Sequence, residues 1–482
     1  MNSIKFNSRN MSRKSCLQTL SGVAISGVAG CTGALQPPNL LFVFPDQFRA
    51  QAMGFMGEDP VITPNLDRLA AEGVVFNNAV STHPLCSPYR GMLMTGKYSW
   101  KTGLVSNCNT YSRKYGVYLR ESERCLTDVL HDTGYDVGYL GKWHLDTPAE
   151  GPDVDDWRGS IWDTYTPPGP KRHGINFWHS YGCYDDHLQP HYWIGDDPAQ
   201  REFHEWSPEH ETNTAIEYLQ NRDGRQRDAD KPFALFMAMN PPHPPFNLVP
   251  DRYRDYYRDA GPDELLTRPN VRLEGVGAQA PNVVQDYFSA VTGVDEQLGR
   301  LLQCLKTEGL DENTIVVFTA DHGEKMGSHG SMGKGAYYEE SFRVPMIFRW
   351  PTVLKPVQEP APMGSVDIMP TLLGLMGQER EIPADVQGVN LAPVMQGQSN
   401  TRPQFALYAT GGIDTYLGRR GLRSPQHTFC LSASSEIDIL YDNLNDPYQL
   451  QNIAADNPSL TSELSDMLKL QLAGLDDPLQ KG

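Results

Sequence analysis

The stretch TIVVFTADHGE (residues 314–324) decides how this chain is read. Six β-branched or aromatic residues run without a break and stop at Ala320-Asp321-His322. An unbroken apolar run suits a strand covered on both faces, as in a parallel sheet, whereas a half-solvated strand alternates. The construction recurs three times. NLLFVF (39–44) leads into Pro45-Asp46-Gln47, YDVGYL (135–140) into Gly141-Lys142-Trp143-His144, and FALFMAM (233–239) into Asn240-Pro241-Pro242-His243-Pro244. Helical segments lie between: TPNLDRLAAEG (63–73), with Thr63 as N-cap, Pro64 at the first helical position and Gly73 as stop; LTDVLHDTG (126–134); and YFSAVTGVDEQLGRLLQCLKTEG (287–309). Strands alternating with helices predict an α/β domain with a large, mixed, mostly parallel sheet flanked by helices. Such sheets bind ligands beyond the carboxyl ends of their strands. Asp46, Lys142, His144, His243, Asp321 and His322 all fall at that edge.

Elsewhere the texture changes. Residues 145–230 are rich in Gly, Pro, aromatic residues, His and Asp, with little periodicity, and HGINFWHSYGCYDDHLQPHYW (173–193) within them reads as a long insertion decorating the site. SVDIMPTLLGLMG (365–377) reads as a helix, and FALYAT (405–410), HTFCLSA (427–433) and DILYDN (438–443) as short strands before a final amphipathic helix over 458–474. The expected division is a catalytic domain over 36–360 and a smaller C-terminal α+β subdomain over 361–482, with a small antiparallel sheet and a terminal helix.

The 482 residues carry a net charge of −18, which argues against general binding to nucleic acid or anionic membranes. An anionic substrate would need local positive charge at the site. Residues 1–30 read as an export signal: basic Arg9, Arg13 and Lys14 precede the apolar, small-residue stretch CLQTLSGVAISGVAG, too short to span a bilayer. SRKSCL (12–17) resembles a twin-arginine signal, and VAGC (28–31) resembles a bacterial lipobox in which Cys31 is lipidated. The implied location is the periplasm or a lipid anchor at the outer membrane, with membrane contact through the acyl chains alone. The alternative is an ordinary signal peptide cut a few residues later. Outside this segment stand Cys86, Cys108, Cys125, Cys183, Cys304 and Cys430, in no disulfide-framework spacing.

One of these thiols lies in CSPYRGMLMTGKY (86–98). Together with Asp46-Gln47 after the first strand, GKWH, PPHPPF, TADHGE, GKGAYYEESFRVPMI and LYDNLNDPYQLQNIA, this stretch resembles the formylglycine-dependent sulfatases of the alkaline phosphatase-like superfamily, in family order from about residue 40 to 455. The resemblance implies that a formylglycine-generating enzyme oxidises Cys86 to Cα-formylglycine, whose hydrate attacks sulfur and later collapses to expel sulfate. It implies a divalent metal, Ca²⁺ or an ion such as Mn²⁺, on Asp46, Gln47, residue 86, Asp321 and His322. Arg90, Lys142 and Lys334 match the family's sulfate-facing cations, His144 its base, and His243 the acid that protonates the leaving alkoxide. Two departures stand out: Tyr89 replaces the commoner small residue in CxPxR, and Gln47 stands where many members have Asp.

Candidate substrate residues are His179, His187 and His191 in the insertion, where Trp178, Tyr184 and Trp193 are candidates for stacking on sugars, and Arg419, Arg420 and Arg423 in the C-terminal unit. The reading is an exported sulfatase acting on a sulfated poly- or oligosaccharide. Its rivals are a phosphodiesterase or phosphonate monoester hydrolase of the same superfamily, and a non-catalytic glycan-binding lipoprotein.

Overall fold

The computed structural model describes residues 37–151, 154–411, 418–432 and 439–478; the signal expected over 1–30, with Cys31, lies outside them. The four apolar runs become neighbouring strands. β1 (Asn39–Val43), β2 (Val74–Val80), β3 (Asp136–Lys142), β4 (Phe177–Tyr181), β5 (His191–Ile194), β6 (Arg201–Glu202), β7 (Phe233–Ala238), β8 (Thr314–Thr319), β9 (Met346–Arg349) and β10 (Val357–Gly364) form one sheet. Its order is β10-β2-β9-β8-β1-β7-β3-β4-β5-β6. The block β8-β1-β7-β3 is parallel throughout and buried at every residue, as unbroken apolar runs require. β9 runs antiparallel to both β8 and β2, so β2 points the same way as the central block. The carboxyl ends of β1, β2, β3, β7 and β8 therefore share one edge.

β2, β10 and β4 have no unbroken apolar run to announce them. β2 reads VVFNNAV, its apolar character interrupted by Asn77 and Asn78. The sheet satisfies the Asn78 amide nitrogen internally: it donates to the Pro360 carbonyl on β10 at 2.7 Å. β10 itself, VQEPAPMG, carries two prolines and pairs in parallel with β2. The domain boundary expected between 360 and 361 falls inside this strand. β4 corrects the reading of 173–193 as an insertion decorating the site: it pairs in parallel with β3, and the helix Ser207–Gln220 that follows packs on the long helix Val284–Thr307.

A second sheet of β11 (Ala406–Ala409), β12 (Arg419–Arg423), β13 (His427–Ser432) and β14 (Ile439–Asp442) is antiparallel in that order. The terminal helix Pro458–Gly474 covers it, burying Leu464, Leu468 and Leu472 against Leu422, Phe429 and Leu440. The Ala409 amide donates to the Thr82 carbonyl at 2.6 Å, tying β11 to the loop that leads from β2 to Cys86. Among the described residues no helix is long and apolar enough to cross a membrane.

The first helix, α1 (Pro64–Glu72), is capped from another element. Thr63 holds the N-cap position, but its hydroxyl accepts from the Gly54 amide at 2.7 Å and bonds Asp67 at 3.1 Å. The free amides of Asn65 and Leu66 donate instead to Asp295 of the long helix, at 3.2 and 2.7 Å. Burial pushes the Asp295 carboxyl up to about 6 against the pull of these hydrogen bonds. Asp295→Ala is expected to cost about 2 kcal/mol in urea unfolding, the scale of a lost buried cap. The substitution Asp295→Asn keeps an acceptor. Since the folded pKa lies above the unfolded one, wild type's margin over Asp295→Asn should shrink as pH rises from about 4 to about 6.

Candidate active site

Five loops meet at the shared strand edge. β1 delivers Asp46 and Gln47, β3 delivers Lys142 and His144, β7 delivers Asn240 and His243, and β8 delivers Asp321 and His322. The loop after β2 opens α2 (Cys86–Thr95), which starts at the thiol and carries Arg90 one turn on. Two of these loops demand left-handed backbone at residues with side chains: Gln47 has φ 65° and His144 φ 51°. Such conformations cost energy and are held only where surrounding structure fixes them. Gly141, at φ 85°, precedes Lys142; a Cβ there would sit 2.3 Å from the Ala238 carbonyl, so glycine lets β3 pass close to β7 as it turns into the site.

Asp46 lies at the centre, with no exposed surface. One carboxylate oxygen accepts from Lys142 Nζ at 2.8 Å and Arg90 Nη2 at 3.3 Å; the other lies 3.3 Å from His322 Nε2 and 3.9 Å from Lys334 Nζ. Burial opposes its charge, yet Lys142, Lys334 and the nearby histidines hold the carboxyl well below the usual range. Asp321 behaves oppositely. Burial and the Asp46 charge push it up to about 6, though Arg90 Nη2 contacts it at 3.1 Å. Arg90 is itself locked, donating to the Lys142 carbonyl at 2.5 Å and lying 5.1 Å over the Phe44 ring.

Cys86 Sγ faces this cluster, 3.2 Å from Lys334 Nζ, 3.4 Å from His322 Nε2 and 3.7 Å from Asp46. Burial and Asp46 resist its ionisation, but Lys142, Lys334 and His322 prevail and lower the thiol to about 6. His144 Nε2 lies 3.1 Å from the Cys108 carbonyl, which can only accept. Burial, Lys142 and Arg90 depress its pKa to about 3, so the imidazole is neutral and its buried Nδ1, without a partner, is a lone-pair acceptor. His243 has the reverse tautomer: Nδ1 donates to the Pro244 carbonyl at 2.7 Å, leaving Nε2 free. Burial, Lys334 and Lys142 hold His243 well below the ordinary histidine value. His243 and Lys334 keep 14% and 18% of their side chains exposed, so the site opens on their side.

The site also contains residues the sequence reading passed over. Asn240 accepts from Lys142 Nζ at 3.1 Å and donates to the Tyr184 carbonyl and to Asp185. Asp185 lies 3.4 Å from His243 Nδ1, and its carboxyl is lowered to about 2, burial being outweighed by His243 and Lys142. Glu324 accepts from the Gln47 amide nitrogen and from the backbone amides of Met326 and Gly333, at 2.8 and 2.7 Å. Asn240 follows β7 by two residues, Glu324 closes TADHGE, and Asp185 lies two residues before His187.

The six candidate substrate residues fall elsewhere. His179 is buried on β4, 2.9 Å from His210 Nε2, with its pKa depressed to about 3 by burial and that neighbour. His187 Nε2 bonds the His243 carbonyl at 2.8 Å, so it positions His243 from behind. His191 pairs with Asp163 at 2.6 Å. Arg420 bonds Asp477 at 2.6 Å, and Arg423 grips both oxygens of Glu339 at 2.8 and 3.0 Å. These five are structural partners. Arg419 lies 5.0 Å over the Tyr337 ring, on the loop that carries Lys334. Trp178, a stacking candidate, is buried between Tyr139 and Trp143.

The donor set fits a divalent cation. Asp46, Cys86, Asp321 and His322 bring ligand atoms within 4.8 Å of one another. His322 Nδ1 bonds the Gly323 carbonyl at 3.1 Å, which leaves Nε2 as the ligating atom. With its nitrogen held by Glu324, Gln47 presents a buried side-chain oxygen that has no partner. Two carboxylates, an amide oxygen and an imidazole make an oxygen-rich set suited to a hard or borderline ion.

Comparison with known proteins gives the family. The family model described as Sulfatase matches residues 38–378, and that for the C-terminal region of N-sulphoglucosamine sulphohydrolase matches residues 327–477. The chain is 38% identical to an endo-4-O-sulfatase of Bacteroides thetaiotaomicron, covering 95% of this chain and 97% of the relative. It is 33% identical to an ulvan-active sulfatase of Formosa agariphila, covering 91% and 82%. A Bacteroides fragilis crystal structure named for the sulfatase yidJ superposes with a TM-score of 0.86 at 41% identity, covering 92% of this chain and 98% of that one.

Ca²⁺ or Mn²⁺ is expected to raise the melting temperature of the protein, and Asp46→Ala to abolish that rise in differential scanning calorimetry. Glu324→Ala, which frees the Gln47 amide, should weaken the cation about 10- to 100-fold in isothermal titration, as loss of an orienting partner does.

Proposed function

The chain belongs to the sulfatase family and is a sulfuric ester hydrolase, and from that premise we propose that it is exported and hydrolyses sulfate esters on a poly- or oligosaccharide, using Cys86 as the precursor of a formylglycine nucleophile. The observation that carries the reading is the charge at residue 86. In a protein of net charge −18, the Sγ atom lies 3.2 Å from one ammonium and 4.0 Å from another, with a guanidinium behind them. This cradle accepts a small anion and presents it to residue 86. Relatives named for endo-4-O-sulfate, ulvan and N-acetylglucosamine-6-O-sulfate support a carbohydrate as the carrier. The basic, then apolar, leader supports export.

Each side chain then has a task. Lys142, Lys334 and Arg90 balance charge around the sulfuryl group, and because Asn240 and Asp46 already fix Lys142, little reorganisation remains at the moment of reaction. A divalent ion held by Asp46, Gln47, residue 86, Asp321 and His322 would polarise a sulfate oxygen as a Lewis acid. Oxidation of Cys86 to an aldehyde supplies, once hydrated, one hydroxyl to attack sulfur and a second through which the ester collapses. His144 Nδ1, a buried acceptor without a partner, takes a proton from that group. His243 Nε2 faces the open side, where the leaving alkoxide departs, and anionic substrate beside it favours its protonated form.

Protein from its native host is expected to show a Cys86 peptide lighter by ~18 Da, the exchange of H₂S for oxygen, unlike the oxygen-adding thiol ladder. The same protein should release inorganic sulfate from a sulfated polysaccharide, read by ion chromatography, and Cys86→Ala should lose at least about 1,000-fold in turnover. Hydrolysis of phosphate diesters without sulfate release would reverse the assignment in favour of a phosphodiesterase.

A further inference from the structure

We propose that Trp157 and Trp162 form an aromatic subsite beside the catalytic pocket, which takes the sugar ring next to the sulfated one. This rests on the carbohydrate reading above. Trp162 lies 6.0 Å from the His144 ring, centroid to centroid, and Trp157 packs edge-on to Trp162 at 6.3 Å. Trp157 is 53% exposed, although a large apolar side chain this close to a pocket has every reason to be covered. The two indoles thus run from the proposed base out to solvent.

The arm that carries them is fixed to the catalytic elements on both sides of Trp162. Thr110 and Ile161 exchange two hydrogen bonds: the Thr110 amide donates to the Ile161 carbonyl at 3.0 Å, and the Ile161 amide donates to the Thr110 hydroxyl at 3.1 Å. Thr110 lies two residues beyond Cys108, whose carbonyl holds His144 and whose amide donates to Ser87 Oγ at 3.0 Å. Asp163, next to Trp162, accepts from the amides of Gly182 and Cys183 at 2.8 and 3.1 Å and from His191 at 2.6 Å. That turn continues into Asp185, the partner of His243. Trp162 is therefore held between the loop behind the base and the loop behind the acid. This explains His191: it anchors the aromatic arm.

The chemistry selects a sugar. Indole faces accept the C–H face of a pyranose through apolar contact, while the hydroxyls stay in water. Charge alone would serve a polyanion poorly here. A protein at −18 repels it beyond the immediate pocket, and Arg158, beside Trp157, is already paired with Asp156 at 2.6 Å. Stacking supplies affinity without net charge, and a rigid indole loses little entropy in doing so.

The test is isothermal titration of Cys86→Ala protein with tetrasaccharides of a 4-O-sulfated glycosaminoglycan and of ulvan. Adding Trp157→Ala is expected to weaken the better ligand about tenfold, on the scale of a lost tryptophan anchor, with an unchanged melting temperature; Trp157→Phe, which keeps a stacking face, should lose less than about threefold. Equal affinity with and without Trp157 would overturn the subsite, as would an equal loss in the Phe and Ala variants. Failure of Cys86→Ala to bind either tetrasaccharide would also overturn it. Sulfate release by the wild type tests the proposed function separately.

Discussion

A carboxylate with no water around it organises this molecule. Asp46 is buried at the end of a central strand and answered by Lys142, Arg90, Lys334 and His322. Removing charges from water costs several kcal/mol per ion, and apolar packing in the same space is commonly as stable or more so. The cluster therefore makes poor sense as a device for holding the fold together. It makes sense as a site held in tension by the fold: an acid kept ionised, a second acid 4.8 Å or less away kept reluctant to ionise, and a thiol drawn toward its anion. A cation and an anionic substrate are the two partners that relieve those opposing demands together.

Holding such a cluster requires rigidity, which comes from the sheet. Four adjacent, fully buried parallel strands fix the starting points of the loops that carry Asp46, Lys142, Asn240 and Asp321. Tertiary bonds then hold the left-handed turns at Gln47 and His144. The Gln47 amide donates to Asp321 at 3.1 Å and its carbonyl accepts from Tyr287 at 3.1 Å, while the His144 carbonyl accepts from Ser87 at 2.6 Å. Strain at Gln47 and at a neutral histidine is thus offset by bonds from Asp321, from the first turn of α2 and from the long helix.

The legible parts of the sequence were those whose physics is local. Unbroken apolar runs ending in charge located four strands and the edge where six site residues meet. β2 was hidden because its two asparagines mimic a loop, although one of them is satisfied by β10, 282 residues away, and by Arg423 of β12. β4 was hidden in an aromatic, polar region because the partners that bury His179 and Trp178 come from a distant helix and from β3. Histidines near a site invite a functional reading. Here His187 and His191 act through others, one on the His243 backbone and one on Asp163. Asn240, Asp185 and Glu324 were missed for the converse reason. Their work is to aim Lys142, His243 and Gln47, and nothing in residue type distinguishes an aiming amide or carboxylate from a surface one.

The arginines of β12 show how the small sheet reaches the site through side-chain partners. Arg423 grips Glu339 through two bonds and also bonds Asn78 of β2. Arg420 lies 4.9 Å over Trp100 and pairs with Asp477 beyond the terminal helix. Glu339 stands five residues after Lys334, and Arg268 fixes the neighbouring Glu340 at 2.8 Å. The Gly333 amide, on the other side of Lys334, is held by Glu324. The loop bearing the lysine nearest Cys86 is thus clamped on one side by the cation-facing cluster and on the other by an ion pair from the C-terminal sheet. Such a buried, bidentate pair contributes geometry more than stability. The C-terminal unit is in this sense part of the active site: it sets where the 334 ammonium stands, and therefore how closely positive charge approaches residue 86.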